Sequence, residues 1–243
     1  IRDTLRSMNK DLVIILAAGK GTYCSEFIPD RYEPSTKSTS NYEMYERVLR
    51  YSDINYIDFN KWFLSMKDTA SYPLFPIGGT HWSKYGEVLV ADSIIHYIEQ
   101  LRKIKLPQIE IEEVFRSYNM WDTDDDIEKG MNLLFNLPDL EMAYPHFRFV
   151  KDSTVTQLKA LVIADSYYWG LFNMGLSEKV FNSGEFWYYN NAIYPQSLQQ
   201  PLFVKDIDFQ SEIEKNDVII LMTTEANYPI TQAYDTYYSS DTL

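Results

Sequence analysis

Four short, nearly unbroken apolar runs mark the strands that the sequence predicts. They cover residues 12–17, 56–59, 160–164 and 218–222, with the letters LVIILA, YIDF, ALVIA and VIILM. Because they do not alternate regularly with polar positions, they are typical of strands covered on both faces. Helical spacing appears between them, most clearly over residues 83–103, where Ser83 is a suitable N-cap. Strands that alternate with helices predict an α/β fold with a mostly parallel sheet and helices on both sides.

Two weaker helical patterns lie at residues 41–51 and 167–177, and a poorer, acidic stretch at residues 106–126 is predicted to be an insertion or excursion. Apolar residues return directly afterwards, at Met131, Leu133 and Leu134, which is not typical of a linker. Residues 1–243 are therefore expected to form one domain. Because Ile1 is not an initiator residue and the first residues are typical of the end of a helix, the native chain is expected to begin before Ile1.

Composition and charge exclude several classes of partner. The 243 residues include 22 Lys and Arg against 35 Asp and Glu, a net charge of −13, which argues against nucleic acid or an anionic membrane surface. No apolar run approaches the roughly 20 residues that span a bilayer. Aromatic residues make up 16% of the chain, and aromatic faces serve both sugar-binding surfaces and ordinary cores. Composition alone therefore leaves a glycan-binding surface open without indicating one.

Two motifs that resemble ligand-binding loops fail at key positions. The glycines of AAGKGTYC follow the first strand, but a cysteine stands where a dinucleotide fingerprint needs its third glycine. Asp122, Asp124 and Asp126 have the spacing of half a calcium loop, but an isoleucine replaces the required glycine. We interpret the acidic run after Thr123 as the start of a helix, where carboxylates meet the positive end of the dipole. The histidines lack metal-ligand spacing, so no metal site is expected.

Two segments do carry residues suited to acyl chemistry. His81 lies in PLFPIGGTHWSKYG, a turn at the entrance of the clearest helix. Ser166 lies in KALVIADSYYWGLF, a segment that predicts a strand, a turn and a helix, with the serine at the turn. Such a turn presents a hydroxyl at the carboxyl edge of a parallel sheet, where ligands bind and where helix amides can stabilise an oxyanion. Helix capping is the structural alternative for both residues.

Together these segments resemble the SGNH-hydrolase-like domains of the alginate O-acetyltransferase group, which includes the DHHW proteins. The resemblance covers most of the chain, from VIILAAGKGTYCSEFIPD through YIDFNKWF and YPLFPIGGTHWSKYGEVLVADSII to ALVIADSYYWGLF and NDVIILMTTE. It implies a three-layer α/β/α sandwich and a Ser-His-Asp site acting on O-acetyl groups of an exported polysaccharide. By position, Ser166 matches the nucleophile and His81 the general base. Asp165 matches an aspartate that is usually structural.

The chain departs from the pattern of this group at two positions. The acid of the group lies two residues before the histidine, where this chain has Gly79, and the glycine before its Asp-Ser pair is Ala164 here. Either another carboxylate substitutes, or the backbone orients the histidine, or the domain has lost catalysis. Glu225 is the first candidate for a substitute and Asp58 the second, because each follows a predicted strand.

Three further residues are weaker site candidates. Asn190 and Asn191 follow the serine helix, and an asparagine side chain donates to the oxyanion in SGNH enzymes, although an Asn pair more commonly forms a turn. Trp169 could stack on a sugar ring, with core packing as the favoured alternative. No metal or organic cofactor is implied for any of these roles.

The sequence therefore supports two hypotheses of function. In the first, the chain is an SGNH-type serine O-acyltransferase or acylesterase that acts on a cell-envelope or extracellular glycan. The resemblance implies an exported location, periplasmic or at the cell surface, and makes a membrane protein that delivers the acyl group a candidate partner. In the second, the fold has lost its acid and serves as a glycan-binding or scaffold protein. Gly79 is the observation that separates them.

Overall fold

The computed structural model of the protein describes residues 1–32, 39–135, 137–138 and 140–228. Over these residues the strands are β1 (Asp11–Ala17), β2 (Asn55–Asp58), β3 (Gln108–Ser117), β4 (Met142–Val150), β5 (Ala160–Ala164), β6 (Phe186–Tyr188), β7 (Ala192–Tyr194) and β8 (Val218–Thr224). The α-helices are α1 (Arg2–Ser7), α2 (Lys20–Tyr23), α3 (Asn41–Arg50), α4 (Phe59–Met66), α5 (Lys84–Arg102), α6 (Asp126–Met131), α7 (Tyr168–Asn173) and α8 (Phe209–Glu214).

A six-stranded sheet forms the centre of the fold, in the order β2-β1-β8-β5-β6-β7. Every neighbouring pair is parallel except β6 and β7, which form an antiparallel hairpin at one edge. The carboxyl ends of β1, β8 and β5 therefore lie side by side at the same edge, where open parallel sheets bind ligands. The four apolar runs of the sequence overlap β1, β2, β5 and β8. The prediction of buried strands is confirmed for β1, β5 and β8, whereas every residue of the edge strand β2 is partly exposed.

Helices cover both faces of the sheet. On one face, Val13 and Ile15 of β1 belong to a buried cluster with apolar residues of α4, α5 and α7. On the other face, Leu12 packs with apolar residues of α1 and α8, and Leu16 packs with Leu49 of α3. The predicted three-layer α/β/α architecture is therefore confirmed. None of the helices in the described part of the chain has both the length and the apolar character of a bilayer-spanning segment.

Helix boundaries follow local capping chemistry. The hydroxyl of Ser83 accepts a hydrogen bond from the Gly86 amide at 3.1 Å and donates to the Pro73 carbonyl at 2.7 Å, so it caps α5 as expected. The predicted helix at residues 167–177 is shorter: α7 ends at Asn173, and a π-helical turn follows at Leu176–Val180. The acidic run after Thr123 does begin a helix, but α6 starts at Asp126.

The acidic excursion forms a hairpin of β3 and β4 that packs on α5 and leads into the site. After β3, the chain turns back through α6 onto the loop that precedes α5. The backbone amides of Ile127 and Glu128 donate to the Gly78 carbonyl at 2.9 and 3.0 Å. These bonds satisfy two amides at the start of α6, which have no partner within the helix. They also fix the start of α6 beside the histidine loop.

Candidate active site

The turn after β5 presents Ser166 at the carboxyl edge of the sheet. The buried carboxylate of Asp165 fixes this turn by accepting from the Tyr167 amide at 3.0 Å, the Thr224 amide at 2.7 Å and the Asn227 side chain at 2.7 Å. These bonds join the start of α7 to the end of β8. Asp165 is thus engaged by the backbone and leaves the neighbouring half-buried serine hydroxyl available.

The loop before α5 brings His81 onto this serine. The Nε2 atom of His81 lies 3.0 Å from the Ser166 hydroxyl. Lys20 of α2 fixes this loop, because its ammonium donates to the carbonyls of Ile77 and Gly79 at 2.7 and 2.5 Å. From the serine turn, the Tyr167 hydroxyl donates to the Thr80 carbonyl at 2.8 Å, and its ring lies 4.8 Å from the imidazole. The imidazole is therefore positioned by α2, by the serine turn and by its own loop.

The carboxylate that faces the other nitrogen of His81 belongs to Asp126. Its Oδ2 atom lies 3.5 Å from Nδ1 of His81, and its Oδ1 atom accepts a hydrogen bond from the Thr80 amide at 2.9 Å. Nδ1 makes no hydrogen bond to this carboxylate in the structure, so the contact is one of charge and proximity. With the imidazole proton on Nδ1, Nε2 can accept the serine proton. The distance is longer than an ordinary hydrogen bond, and such contacts in ligand-free sites often tighten when substrate binds.

Gly79 has no room for the carboxylate that the resemblance leads us to expect at this position. A Cβ atom at this position would lie 2.5 Å from the Thr123 carbonyl oxygen and 2.9 Å from the Asp124 carbonyl carbon. Both contacts are with backbone, which cannot rotate away as a side chain can. The segment that ends in Asp126 thus occupies the space beside Gly79 and supplies a carboxylate to the same histidine.

The structure does not bring Glu225 to His81, which corrects the expectation that it substitutes for the missing acid. The carboxylate of Glu225 accepts from the Thr22 amide at 3.0 Å, the Thr22 hydroxyl at 2.5 Å and Asn60 at 3.4 Å. It also packs so closely on Gly19 that a Cβ atom there would collide with it. Glu225 therefore joins the end of β8 to α2 and α4.

Asp58, the second candidate for the substitute acid, is engaged at the start of α4. Its carboxylate accepts from the Lys61 amide at 2.9 Å, as an N-cap, and from the Tyr42 hydroxyl at 2.8 Å. Asp58 therefore fixes the end of β2 to α3 and α4.

Asn190 and Asn191 lie in the turn between β6 and β7. Tyr189 and Asn190 have φ values of 50° and 51°, and the Asn191 amide donates to the Tyr188 carbonyl at 3.0 Å. Positive φ at both central residues is the backbone that tight hairpin turns require, and asparagine tolerates it. The turn role is thus accounted for by the structure.

Trp169 packs inward. Its ring lies 4.8 Å from that of Phe186 and 4.6 Å from that of Tyr194, both edge to face. Its aromatic surface is therefore used between α7 and the hairpin of β6 and β7, which favours the packing role over a sugar-stacking role.

Burial lowers the pKa of His81 below its ordinary value, and the charges of Asp126 and Asp165 oppose this shift. Desolvation penalises the imidazolium form, so the ring is neutral at neutral pH and ready to accept a proton.

Within the described ranges, no group of three or more His, Cys, Asp and Glu side chains is arranged to hold a metal ion.

Comparison with known structures shows which fold this is. Neither the models of known protein families nor the curated proteins give a match to the sequence. The O-acetyltransferase domain of Pseudomonas putida AlgJ matches with a TM-score of 0.57 and 16% identity, over 94% of this chain and 80% of that one. Bacillus cereus PatB1 matches with a TM-score of 0.52 and 14% identity, over 93% and 86%.

Pseudomonas aeruginosa AlgX also matches, with a TM-score of 0.56 and 13% identity, over 92% of this chain and 54% of its own. This chain thus spans about half of the AlgX chain. At these identities the likeness concerns the fold, and the SGNH-hydrolase-like α/β fold expected from the sequence motifs is confirmed.

Proposed function

We propose that this chain is an SGNH-type serine O-acyltransferase or acylesterase that acts on O-acetyl groups of a glycan. The observation that carries the proposal is the alignment of Ser166, His81 and Asp126, with 3.0 Å between hydroxyl and Nε2 and 3.5 Å between Nδ1 and carboxylate. A nucleophile in reach of a base, which is in turn oriented by an acid, is the arrangement that nucleophilic acyl transfer requires.

The reaction proceeds in two steps, acylation of the serine and transfer of the acyl group to an alcohol or water. The Ser166 oxygen attacks the acyl carbonyl carbon while Nε2 of His81 takes the hydroxyl proton. When the bond to the donor oxygen breaks, His81 returns that proton to the leaving alcohol and the serine is left acylated. A sugar hydroxyl or water then attacks, gives its proton to His81, and the serine oxygen leaves and regains a proton. Throughout, Asp126 holds the Nδ1 proton and stabilises the imidazolium that forms.

Two comparisons support this assignment without deciding it. AlgJ is described as an O-acetyltransferase domain, and PatB1 has been solved with a sulfonyl adduct. A glycan substrate, an exported location and a membrane partner that delivers the acyl group belong to the same proposal. Gly79 motivates the alternative, a glycan-binding protein that has lost its acid, and the carboxylate of Asp126 beside His81 favours the enzyme over it. The proposed chemistry uses side chains of this chain and requires no cofactor.

The proposal is tested by trapping the acyl-enzyme. On mixing with an activated acetyl ester, the protein is expected to gain the mass of one acetyl group, located on the peptide that contains Ser166. Adding an oligosaccharide should then release the acetyl group faster than water does if the enzyme is a transferase. Acetylation spread over surface lysines, with none at Ser166, would contradict the proposal.

The pH dependence of ester hydrolysis follows from the lowered pKa of His81. A protonated imidazole cannot accept the serine proton, so the rate should rise with pH and level off once the ring is neutral. Because burial lowers this pKa, the half-maximal rate should fall below about pH 6.5, the ordinary value for histidine. Initial rates at constant ionic strength provide the measurement, and a rise centred above about pH 7 would contradict the assignment of His81 as the base.

A further inference from the structure

A groove of about 340 Å³ lies beside the candidate site, between α5, α7 and the hairpin of β3 and β4. Its walls continue the segments that hold the three residues of the site. Lys84 in the groove lies three positions after His81, and Gly170 lies four positions after Ser166. The segment that leads to Asp126 contributes residues 121 and 122. The groove and the candidate site therefore share three segments of the chain.

One wall of the groove is a fixed aromatic platform. The ring of Trp121 stacks on that of Tyr144, with 4.2 Å between centroids and 22° between planes, and its backbone amide donates to the Tyr144 hydroxyl at 3.1 Å. Tyr144 is buried, whereas Trp121 remains 48% exposed. Phe115, which pairs across the hairpin with Tyr144, is also exposed. An indole that is held from one side and open on the other is preorganised for stacking.

The charges that line the groove disfavour an anionic ligand. The ammonium of Lys84 lies 3.1 Å from the carboxylate of Asp122 and 3.1 Å from that of Glu87. The imidazole of His146, the other basic group among the described lining residues, lies 3.1 Å from Glu112. Both basic groups are therefore already paired, so a carboxylate on the ligand would find no unpaired cation among the described lining residues.

We propose that this groove binds a pyranose ring without a carboxylate, stacked on Trp121, in the glycan whose hydroxyl is acylated or deacylated at Ser166. The inference rests on the proposed function and names the class of sugar that it uses. The C–H groups of a pyranose face fit the negative face of an indole, and the carboxylate of Asp122 and the amide of Asn173 can bond to ring hydroxyls at the edge. A uronate ring fits the same shape, but its carboxylate would lie beside that of Asp122 and would find no unpaired cation among the described lining residues.

Binding is tested by calorimetry on the Ser166→Ala protein, so that no turnover is needed to read it. The probes are the neutral tetramer of N-acetylglucosamine and the mannuronate tetramer of the same length. We expect saturable binding of the neutral tetramer and at least about tenfold weaker binding of the mannuronate tetramer. Trp121→Ala should weaken the binding of the neutral tetramer by about tenfold or more, as loss of a central tryptophan commonly does. Trp121→Phe should retain most of the affinity.

The matched control is Tyr118→Ala, because Tyr118 is an exposed aromatic residue on the same excursion, somewhat more exposed than Trp121, and lies outside the groove. It should bind the neutral tetramer with unchanged affinity. Three results would overturn the inference: no saturation by the neutral tetramer, equal affinity for the mannuronate tetramer, or no effect of Trp121→Ala. If Trp121→Ala instead impairs hydrolysis of long-chain acyl esters only, the groove holds the acyl chain. Because binding is measured without catalysis, failure of the proposed acyl transfer would appear separately, in the trapping experiment.

Discussion

Replacing Ser166 with alanine is expected to lower the rate of acetyl-ester hydrolysis by a factor of about 10³ to 10⁶, to the level of general protein surface reactivity. The variant lacks the oxygen that attacks the acyl carbon, and the geometry gives His81 no other hydroxyl at hydrogen-bond distance in the described residues. The measurement is the steady-state rate with an activated acetyl ester, compared with the same ester in buffer.

Loss of folding is excluded as the cause by the position of the serine. Ser166 is half-buried, and its turn is held by the carboxylate of Asp165, so removing the hydroxyl should change the free energy of unfolding by no more than about 0.5 kcal/mol. Thermal unfolding should therefore coincide with that of the parent protein. Ser153→Ala, at an exposed position, is the control for activity and should hydrolyse the ester at the parent rate. Equal rates for Ser166→Ala and the parent protein would contradict the proposal that Ser166 is the nucleophile of an enzyme.

The three central strands β1, β5 and β8 could be predicted because they are buried on both faces, and burial of this kind leaves continuous apolar runs in the sequence. The partly exposed edge strand β2 was found from a shorter run. The short strands β6 and β7 escaped prediction, since three residues are too few to show a period. The hairpin of β3 and β4 was not predicted for a different reason. Because β3 is largely exposed and acidic, its sequence is typical of a loop or excursion.

The contact between Ser166 and His81 could be predicted from the sequence, because each residue lies in a recognisable turn. Each lies where a turn precedes a helix, and the topology brings the two turns to one edge. The acid was not within reach. Its residue type and its place before a helix were visible, but only the return of α6 onto Gly78 determines which histidine it faces. That return depends on backbone bonds between segments distant in sequence, which leave no pattern in the chain.

The glycine at position 79 and the carboxylate of Asp126 beside His81 depend on each other. The resemblance implies an acid two residues before the histidine, on the same loop, whereas here a second segment of backbone fills that space and brings the carboxylate of Asp126 to the histidine. The glycine is required because the Thr123 carbonyl lies where a Cβ atom would be. The absence of the expected aspartate is thus linked to the presence of the excursion, and a glycine that appeared to argue against catalysis becomes the condition for the alternative acid.

Asp126→Asn should therefore lower the rate of ester hydrolysis by a factor of about 10³ to 10⁴, as loss of the orienting aspartate does in serine hydrolases. The amide no longer stabilises the imidazolium, and it can hold the ring in the wrong tautomer. The same change should shift the acid limb of the pH profile to lower pH, because the charge of Asp126 raises the pKa of His81. A merely structural role would lower the rate without moving this limb.

Matched variants separate the role of the acid from general damage to the segment. Asp125→Asn removes a neighbouring carboxylate that pairs with Lys129 and should leave both rate and pH profile near those of the parent. Asp126→Glu should recover part of the activity, since it restores the charge at a longer reach. Gly79→Asp should not rescue Asp126→Asn, because the new side chain must displace the backbone of residues 123 and 124. Full rescue by Gly79→Asp would show that the acid position is interchangeable, and an unimpaired Asp126→Asn would show that the backbone alone orients His81.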